Sequence, residues 1–422
     1  MARGRGRLEP ALTAIAIPYP PEIDAIREGL DRFLKQEVIP RHERHAALLE
    51  DERRLFTEDG RYHPDALALI REVRMAAARA GYYQMCVPAA LGGGGLGHLA
   101  WFGGWERVFH RCSEQYWLGH YAISHWAFGP SAVLAQVSPR AREEMLVPMM
   151  EGRQSMCFGM SEPGAGSDAM MMKSRAVPDG EGWRLSGSKI WTTNSPYADY
   201  CIVFAVTDPE RAAQRRGGIS AFLVPTSSPG FVVERVIRMW GSAGGDEAVL
   251  HFDGVRIEPW QLVGELNKGF AIAMLGVNLG RLYNSARAVG QSRAALERAF
   301  EYIKVREAFG HPIAEYQGVS FPLAESAMQM HAAHLMCLNA ARLLDAGHPA
   351  RKEVAMTKAF ATQMGAQALD RVIQAHGAIG MTNDMHLTEA WQSLRKVNIA
   401  DGSNEILRRT IAREMLDGDM EW

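Results

Sequence analysis

The segment MCFGMSEPGAGSD (156–168) decides how this chain is interpreted. Its pattern is typical of a short strand that runs into a loop of Pro, Gly and small hydroxyl residues. Ser161 and Ser167 can donate hydrogen bonds, while Gly164 and Gly166 allow a ligand to approach the backbone closely. The segment is therefore a candidate binding loop.

A second candidate follows in SKIWTTN (188–194), where Trp191 and Thr193 alternate along a predicted strand. An indole can pack on a planar ring, and a neighbouring hydroxyl can contact a ring heteroatom. A Trp in a small β-domain usually belongs to the core, so this pair alone does not establish a ligand.

The pattern of apolar and polar residues divides the chain into three parts and predicts an α+β architecture. Helical periodicity dominates the first and last parts, whereas short alternating runs in the middle favour a small antiparallel barrel or sandwich. Long, nearly proline-free periodic segments in the last part favour a helical bundle. We assign an N-terminal α-helical domain, a central β-barrel domain and a C-terminal helical bundle domain to residues 1–155, 156–263 and 264–422.

Composition narrows the function classes. The 422 residues carry 46 Lys+Arg against 48 Asp+Glu, so the basic surplus of a nucleic-acid binder is missing. No apolar run reaches membrane-spanning length. The five cysteines lack a CxxC pair, which favours reduced thiols and a cytoplasmic location. The N-terminal arginines Arg3, Arg5 and Arg7 leave a mitochondrial or other organellar location open.

Two further patterns carry less weight. GGGGLG (92–97) matches G-x-G-x-x-G but lacks a surrounding βαβ unit, so a surface turn is favoured over a nucleotide site. The pairs His331/His334 and His120/His125 have no obvious third ligand, so no metal site is predicted.

Five motifs in order resemble the acyl-CoA dehydrogenase family over most of the chain. They are FGMSEPGAGSD (158–168), SGSKIWTTNSPYAD (186–199), REAFGHPIAEYQG (306–318), QAHGAIG (374–380) and ADGSNEILRRTIARE (400–414). The resemblance implies an N-terminal helical domain, a central β-barrel and a C-terminal four-helix bundle. It also implies FAD between barrel and bundle, with each adenosine diphosphate end contacted by a neighbouring subunit of a homodimer or homotetramer.

The same resemblance implies roles for individual residues. The flavin would be contacted by Phe158, Met160, Ser161, Trp191 and Thr193, and the first subunit's cofactor also by Ser403 and Glu405. The neighbour's cofactor would be contacted by Arg306, Phe309, Gln317, Gln374, Gly377 and Ala378. The resemblance assigns Ser167 to both the cofactor and the acyl-CoA. It also assigns Asn278, Arg281 and Gly402 to the acyl-CoA, with Arg281 near the nucleotide phosphate.

The position of the catalytic base holds Asp401 where common family members have Glu. Asp is shorter by one methylene, a reach deficit of about 1.5 Å. Some branches of the family place the base on the residue just before the arginine of the helical bundle. That arginine is Arg281 in this chain, and the residue before it is Gly280. Ala400 replaces the usual Tyr beside the base, and together with Gly280 it predicts a substrate that is bulky near its α and β carbons.

Three functions follow from the resemblance. The first is an acyl-CoA dehydrogenase that uses Asp401 to remove the α-proton, transfers hydride to flavin N5, and passes electrons to an electron-transfer flavoprotein. The second is a flavin oxidase of the nitroalkane-oxidase type, which also uses Asp and reduces O₂. The third is an inactive assembly partner. The intact EPGAGSD loop and Arg281 favour the first.

Overall fold

The computed structural model describes residues 18–421, and Arg3, Arg5 and Arg7 lie outside that range. Apolar residues at intervals of three and four predict a helix over 21–39, which the structure confirms and extends to residue 44 through a π-helical turn, Leu34–Val38. The same pattern over 63–81, with Gly81 as the expected C-cap, predicts a second helix; it ends at Arg79, and Gly81 follows with φ of +83°. The helices before the sheet are α1 Pro21–Phe33, α2 Ile39–Arg44, α3 Ala46–Leu49, α4 Glu52–Leu55, α5 Pro64–Arg79, α6 His98–Cys112, α7 Pro139–Ala141 and α8 Val147–Met150.

The central part forms one eight-stranded sheet, and the short helix α9 (Pro209–Ala213) and two 3-10 turns, Ala169–Met171 and Pro259–Gln261, lie between its strands. Its strands are β1 Met156–Gly159, β2 Arg175–Asp179, β3 Gly182–Thr193, β4 Tyr200–Val206, β5 Ile219–Pro225, β6 Phe231–Val236, β7 Glu247–Ile257 and β8 Leu262–Val263. The strand order is β6-β7-β3-β2-β4-β5-β8, with β1 paired to β4.

The expectation of an antiparallel sheet is wrong for two strand pairs. Both β1 and β2 run parallel to β4, while the other pairs are antiparallel. A parallel pair requires a crossover connection. The segment 160–174, which contains the EPGAGSD loop, forms part of that crossover, so the predicted binding loop leaves the sheet at the end of β1.

The last part is helical, apart from a small hairpin. Its elements are α10 Gly269–Val305, β9 Glu307–Ala308, β10 His311–Pro312, α11 Gln317–Asp345, α12 Arg351–His376, α13 Leu387–Val397 and α14 Asn404–Leu416. The 37-residue α10 is about 55 Å long at 1.5 Å per residue. It packs against α12, α11 and the N-terminal α6, so it connects both helical parts of the molecule.

The two largest of four hydrophobic clusters in the described residues account for most of the core. The larger one joins the N-terminal helices, one side of the sheet and the bundle, and the smaller one lies within the sheet around Phe222, Leu250 and Phe252. The α+β prediction is confirmed, with helical N- and C-terminal parts around a central sheet. Within residues 18–421, no helix combines the length and apolar character needed to cross a membrane.

Candidate active site

A buried ion pair fixes the EPGAGSD loop to the sheet. Lys189 Nζ on β3 lies 2.8 Å from Glu162 Oε1 and donates to the Met160 carbonyl at 3.1 Å. The second Glu162 oxygen accepts from the Lys173 amide at 2.6 Å. The lysine has no exposed surface and the glutamate is 7 % exposed. Because unpaired buried charges are costly, this pair strongly constrains where the loop lies.

The end of β3 presents Trp191 and Thr193 outward. Trp191 lies within a bulge between Lys189 and Thr192 and has φ of +60°, which is rare for an aromatic residue. Trp191 is 53 % exposed, whereas Thr192 is buried. The Trp191 and Thr193 side chains therefore do not belong to the core.

These outward groups fit an isoalloxazine ring. Within residues 18–421, the Thr193 and Ser161 hydroxyls form no side-chain hydrogen bond, and the Ile190 amide donates to the Ser161 carbonyl at 2.9 Å. The structure thus brings an exposed indole and two available hydroxyls to neighbouring parts of one surface. This donor set suits the planar ring and heteroatoms of a flavin.

Asp401 lies in the turn between α13 and α14, held by α10 and α12. Arg281 Nε donates to the Asp401 carbonyl at 3.1 Å, and Lys358 Nζ donates to the Gly402 carbonyl at 2.9 Å. The side-chain amide of Asn284 donates to Asp401 Oδ2 at 2.7 Å. Asp401 and Gly402 have φ of +54° and +88°. The turn adopts this left-handed conformation because polar groups of both helices hold its carbonyls.

The Asp401 carboxylate has properties suited to a general base. Burial raises its pKa to about 6, although the charges of Lys358 and Arg281 and the Asn284 hydrogen bond oppose the increase. Burial also lowers the pKa of Lys358 to about 8. Asp401 Oδ1 and the Asp401 N–H have no hydrogen-bond partner among the described residues. One oxygen is thus held, and the other is available for proton transfer.

Gly280 lies directly against this carboxylate. A Cβ atom at residue 280 would lie 2.3 Å from Asp401 Oδ2 and 2.8 Å from Trp126 Nε1. The expectation that Gly280 leaves space for a bulky substrate is therefore wrong, because the Asp401 carboxylate and the Trp126 indole fill that space. Any additional substrate space would come from Ala400 alone, which is exposed.

Arg281 is engaged by polar groups of the protein. It is 8 % exposed, and its guanidinium donates to the Asn278 side chain at 2.9 Å as well as to the Asp401 carbonyl. Arg281 therefore lies beneath the Asp401 turn, and the implied contact with a nucleotide phosphate stays a prediction.

The residues that the resemblance assigned to a neighbouring subunit lie on the protein surface. Tyr302 stacks on His376 with ring centroids 4.5 Å apart, so the ends of α10 and α12 lie together. Phe309 at the hairpin tip is 95 % exposed. The other members of this exposed set are Arg306, Gln317, Gln374, Gly377 and Ala378.

The remaining predicted residues lie at the start of α14, in the EPGAGSD loop and at the end of the sheet. Ser403 caps α14 by accepting from the Ile406 amide at 3.5 Å, and Glu405 projects from the first turn of that helix. Ser167 lies in the exposed loop beside Asp168, which pairs with Arg215 at 2.5 Å. Phe158 packs edge-on against Trp126, with ring centroids 4.8 Å apart.

The glycine-rich segment 92–97 does not bind a phosphate at the helix that follows it. The His98 and Leu99 amides, which begin α6, donate to the Asp345 carboxylate at 2.5 and 3.0 Å. This carboxylate occupies the position where an anion would bind. The segment is a surface turn, as the absence of a βαβ unit indicated.

Comparison with known families and proteins agrees with this arrangement. Residues 157–255 match "Acyl-CoA dehydrogenase, middle domain", and residues 267–416 match "Acyl-CoA dehydrogenase, C-terminal domain". The human mitochondrial short-chain specific acyl-CoA dehydrogenase is 35% identical over 336 residues, 80% of each chain. The chain belongs to the acyl-CoA dehydrogenase family.

Two further similarities extend this result. A 3-(aryl)acrylate reductase of Clostridium sporogenes is 30% identical over 82% of this chain and 90% of its own length. The structure of butyryl-CoA dehydrogenase from Megasphaera elsdenii matches 95% of this chain and 99% of its own, with a TM-score of 0.80 and 25% identity. As an acyl-CoA dehydrogenase family member, the chain is an FAD-dependent oxidoreductase.

Sequence reasoning missed three residues of the site: Asn284, Lys358 and Trp126. They come from α10, α12 and the segment after α6, and only tertiary packing brings them to Asp401. The available signal was modest: Asn284 follows Gly280 by four residues on a predicted helix, a spacing that puts both residues on one face.

Proposed function

We propose that the chain catalyses α,β-dehydrogenation of an acyl-CoA thioester to the trans-2-enoyl thioester, with Asp401 as the base that removes the α-proton. The observation that carries this proposal is the Asp401 carboxylate itself. Its Oδ2 is held by Asn284, its Oδ1 is available, and its pKa is raised to about 6 by burial. A base with a pKa near the operating pH is well suited to proton removal.

A free thioester α-proton is too weakly acidic for a carboxylate at neutral pH, so the site must stabilise the developing enolate oxygen. The Asp401 N–H supports this role because it has no hydrogen-bond partner among the described residues. Arg281 and Lys358 hold the carbonyls of Asp401 and Gly402. They would thereby keep this amide in a fixed orientation.

Bound FAD supplies the acceptor for the β-hydride. Trp191, Thr193, Met160, Ser161 and Phe158 would hold the flavin end. Ser403 and Glu405 would lie towards the rest of the same cofactor, and Ser167, Asn278 and Gly402 towards the thioester. Arg306, Phe309, Gln317, Gln374, Gly377 and Ala378 would contact the cofactor of a second subunit in a homodimer or homotetramer. An electron-transfer flavoprotein would reoxidise the enzyme.

Oxidation of nitroalkanes is the second candidate, and Asp401 is the observation that favours it. A relative of the nitroalkane-oxidase type also uses Asp as its base. The Arg281 position no longer argues against this candidate, because its guanidinium is engaged within the bundle. The loop fixed by Glu162 and Lys189 supports the acyl-CoA reaction, because it carries Ser167, which the resemblance assigns to the pantetheine arm.

One experiment separates the candidates. The FAD-loaded protein would be mixed anaerobically with butyryl-, octanoyl-, branched and ring-bearing acyl-CoA thioesters, and O₂ uptake would be measured separately with nitroalkanes. The proposal predicts bleaching of the flavin by at least one thioester. O₂ uptake on nitroalkanes without bleaching by any thioester would support the oxidase. The absence of both bleaching and O₂ uptake would indicate an inactive assembly partner.

A further inference from the structure

We propose that Asn284, on α10, is a positioning residue for the base. Its side-chain amide holds one oxygen of Asp401 and thereby directs the other oxygen towards the α-carbon of the thioester. The inference deepens the proposed function and rests on it. It concerns how a carboxylate that is one methylene shorter than glutamate is kept in reach and in register.

The contact is close and dedicated. Asn284 Nδ2 lies 2.7 Å from Asp401 Oδ2, and this is the only side-chain hydrogen bond that Asn284 forms with residues 18–421. Asn284 is 3 % exposed. A buried amide that contacts a single ionisable partner makes a charge-assisted hydrogen bond, which is stronger than a neutral one.

The helix surface around this contact is shaped for the carboxylate. Gly280 lies one turn before Asn284, so both residues face the same side of α10. The missing side chain at Gly280 admits the carboxylate, since a Cβ there would lie 2.7 Å from Asp401 Cγ. Trp126 closes the opposite side, with its Nε1 2.8 Å from the same position and with Gly276 accommodating its six-membered ring.

Holding one oxygen has a chemical consequence. Partial rotation of a free carboxylate about its Cβ–Cγ bond would move the proton-accepting oxygen out of alignment, and a displacement of about 1 Å can cost on the order of 100-fold in rate. The charged groups that face Asp401 are Arg281 on α10 and Lys358 on α12, and both favour the ionised form. The Asn284 hydrogen bond adds to them and lowers the pKa of Asp401 against the effect of burial.

Two substitutions at this position test the inference. Asn284→Leu keeps the approximate shape and removes the donor, so flavin reduction should slow by about 10- to 100-fold. Asn284→Asp keeps the shape more closely but places a second carboxylate beside Asp401. The acid limb of the reduction rate against pH should move to higher pH in the Leu variant and further in the Asp variant, because a like charge disfavours ionisation.

Ser292→Ala provides the matched control, because Ser292 is buried on the same helix two turns further along and its hydroxyl has no hydrogen-bond partner in the described structure. Its pH profile should match that of the unmodified protein. The inference is overturned if the acid limb stays in place in both Asn284 variants, whatever the loss of rate. Full activity of Asp401→Asn would instead overturn the proposed function, so the two failures are distinguishable.

Discussion

The carboxylate of Asp401 occupies the space that the absent side chain of Gly280 leaves on α10. A Cβ atom at residue 280 would lie 2.3 Å from Oδ2, closer than two such atoms can approach. The glycine before the bundle arginine is therefore not merely a position without a base. It is complementary to the short base supplied by the turn after α13.

The substitution Gly280→Ala tests this complementarity. In a helix interior, alanine is favoured over glycine by about 1 kcal/mol, which offsets part of the cost of overpacking at this position, so the protein should still fold. The new methyl group would collide with Asp401 and Trp126, and we expect flavin reduction to slow by at least about 10-fold, as for a displaced base. Reduction at the unmodified rate in a folded, FAD-loaded variant would show that Gly280 does not accommodate the base.

The rate of flavin reduction should depend on pH through Asp401. Proton removal requires the ionised carboxylate, and burial raises the pKa of Asp401 to about 6. The rate constant should therefore fall about tenfold per pH unit well below pH 6 and level off above pH 7. Stopped-flow measurements between pH 4.5 and about pH 8 would reveal this limb. A limb near pH 4 would mean that burial does not raise the pKa of the base.

The Glu162–Lys189 pair should contribute strongly to stability. Lys189→Met would leave a buried carboxylate without its partner, and we expect the free energy of unfolding to fall by about 3–5 kcal/mol. Adding Glu162→Gln should restore part of that loss. Denaturant unfolding of both variants provides the measurement.

The chain offers a control for this experiment in Lys268, which pairs with Glu265 at 2.6 Å on the surface. The side chains of Lys268 and Glu265 are both more than two-thirds exposed, so Lys268→Met should change the free energy of unfolding by less than about 1 kcal/mol. If the two lysine substitutions had equal effects, the loop would not depend on its buried ion pair.

Phe309 should matter for assembly rather than for folding of one chain. It is 95 % exposed, so Phe309→Ser removes little packing within the described chain beyond an edge contact with Tyr316, but under the proposed oligomer it would weaken subunit association and FAD retention. Leu416→Ser is the control, because Leu416 is 88 % exposed at the end of α14 and outside the motifs. Analytical ultracentrifugation and FAD content would report both effects; an unchanged oligomer with full FAD in the Phe309 variant would refute the assigned contact.

The sequence predicted the features that are encoded locally. Apolar periodicity around residues 21–39 and the glycine at 81 define helices from neighbouring residues alone, and the loop motif at 158–168 needs no distant contact. The parallel pairing of β1 with β4 was not predictable in this way, because strand direction depends on the crossover between them.

The errors at the site have the same origin. Gly280 was expected to leave space, because neither burial nor neighbours can be read from one segment. Asn284, Lys358 and Trp126 were missed because they reach Asp401 from three separate segments. Only the folded chain shows that polar groups converge on that turn.

The central claim is that Asp401 removes the α-proton, and Asp401→Asn tests it most directly. The amide is nearly isosteric, so the variant should fold and bind FAD as before. Flavin reduction by the best acyl-CoA, followed anaerobically by stopped flow, should slow by at least about three orders of magnitude, since the lost proton affinity belongs to the transition state itself. Reduction of the Asn variant at nearly the rate of the unmodified enzyme would contradict the assignment of Asp401 as the base.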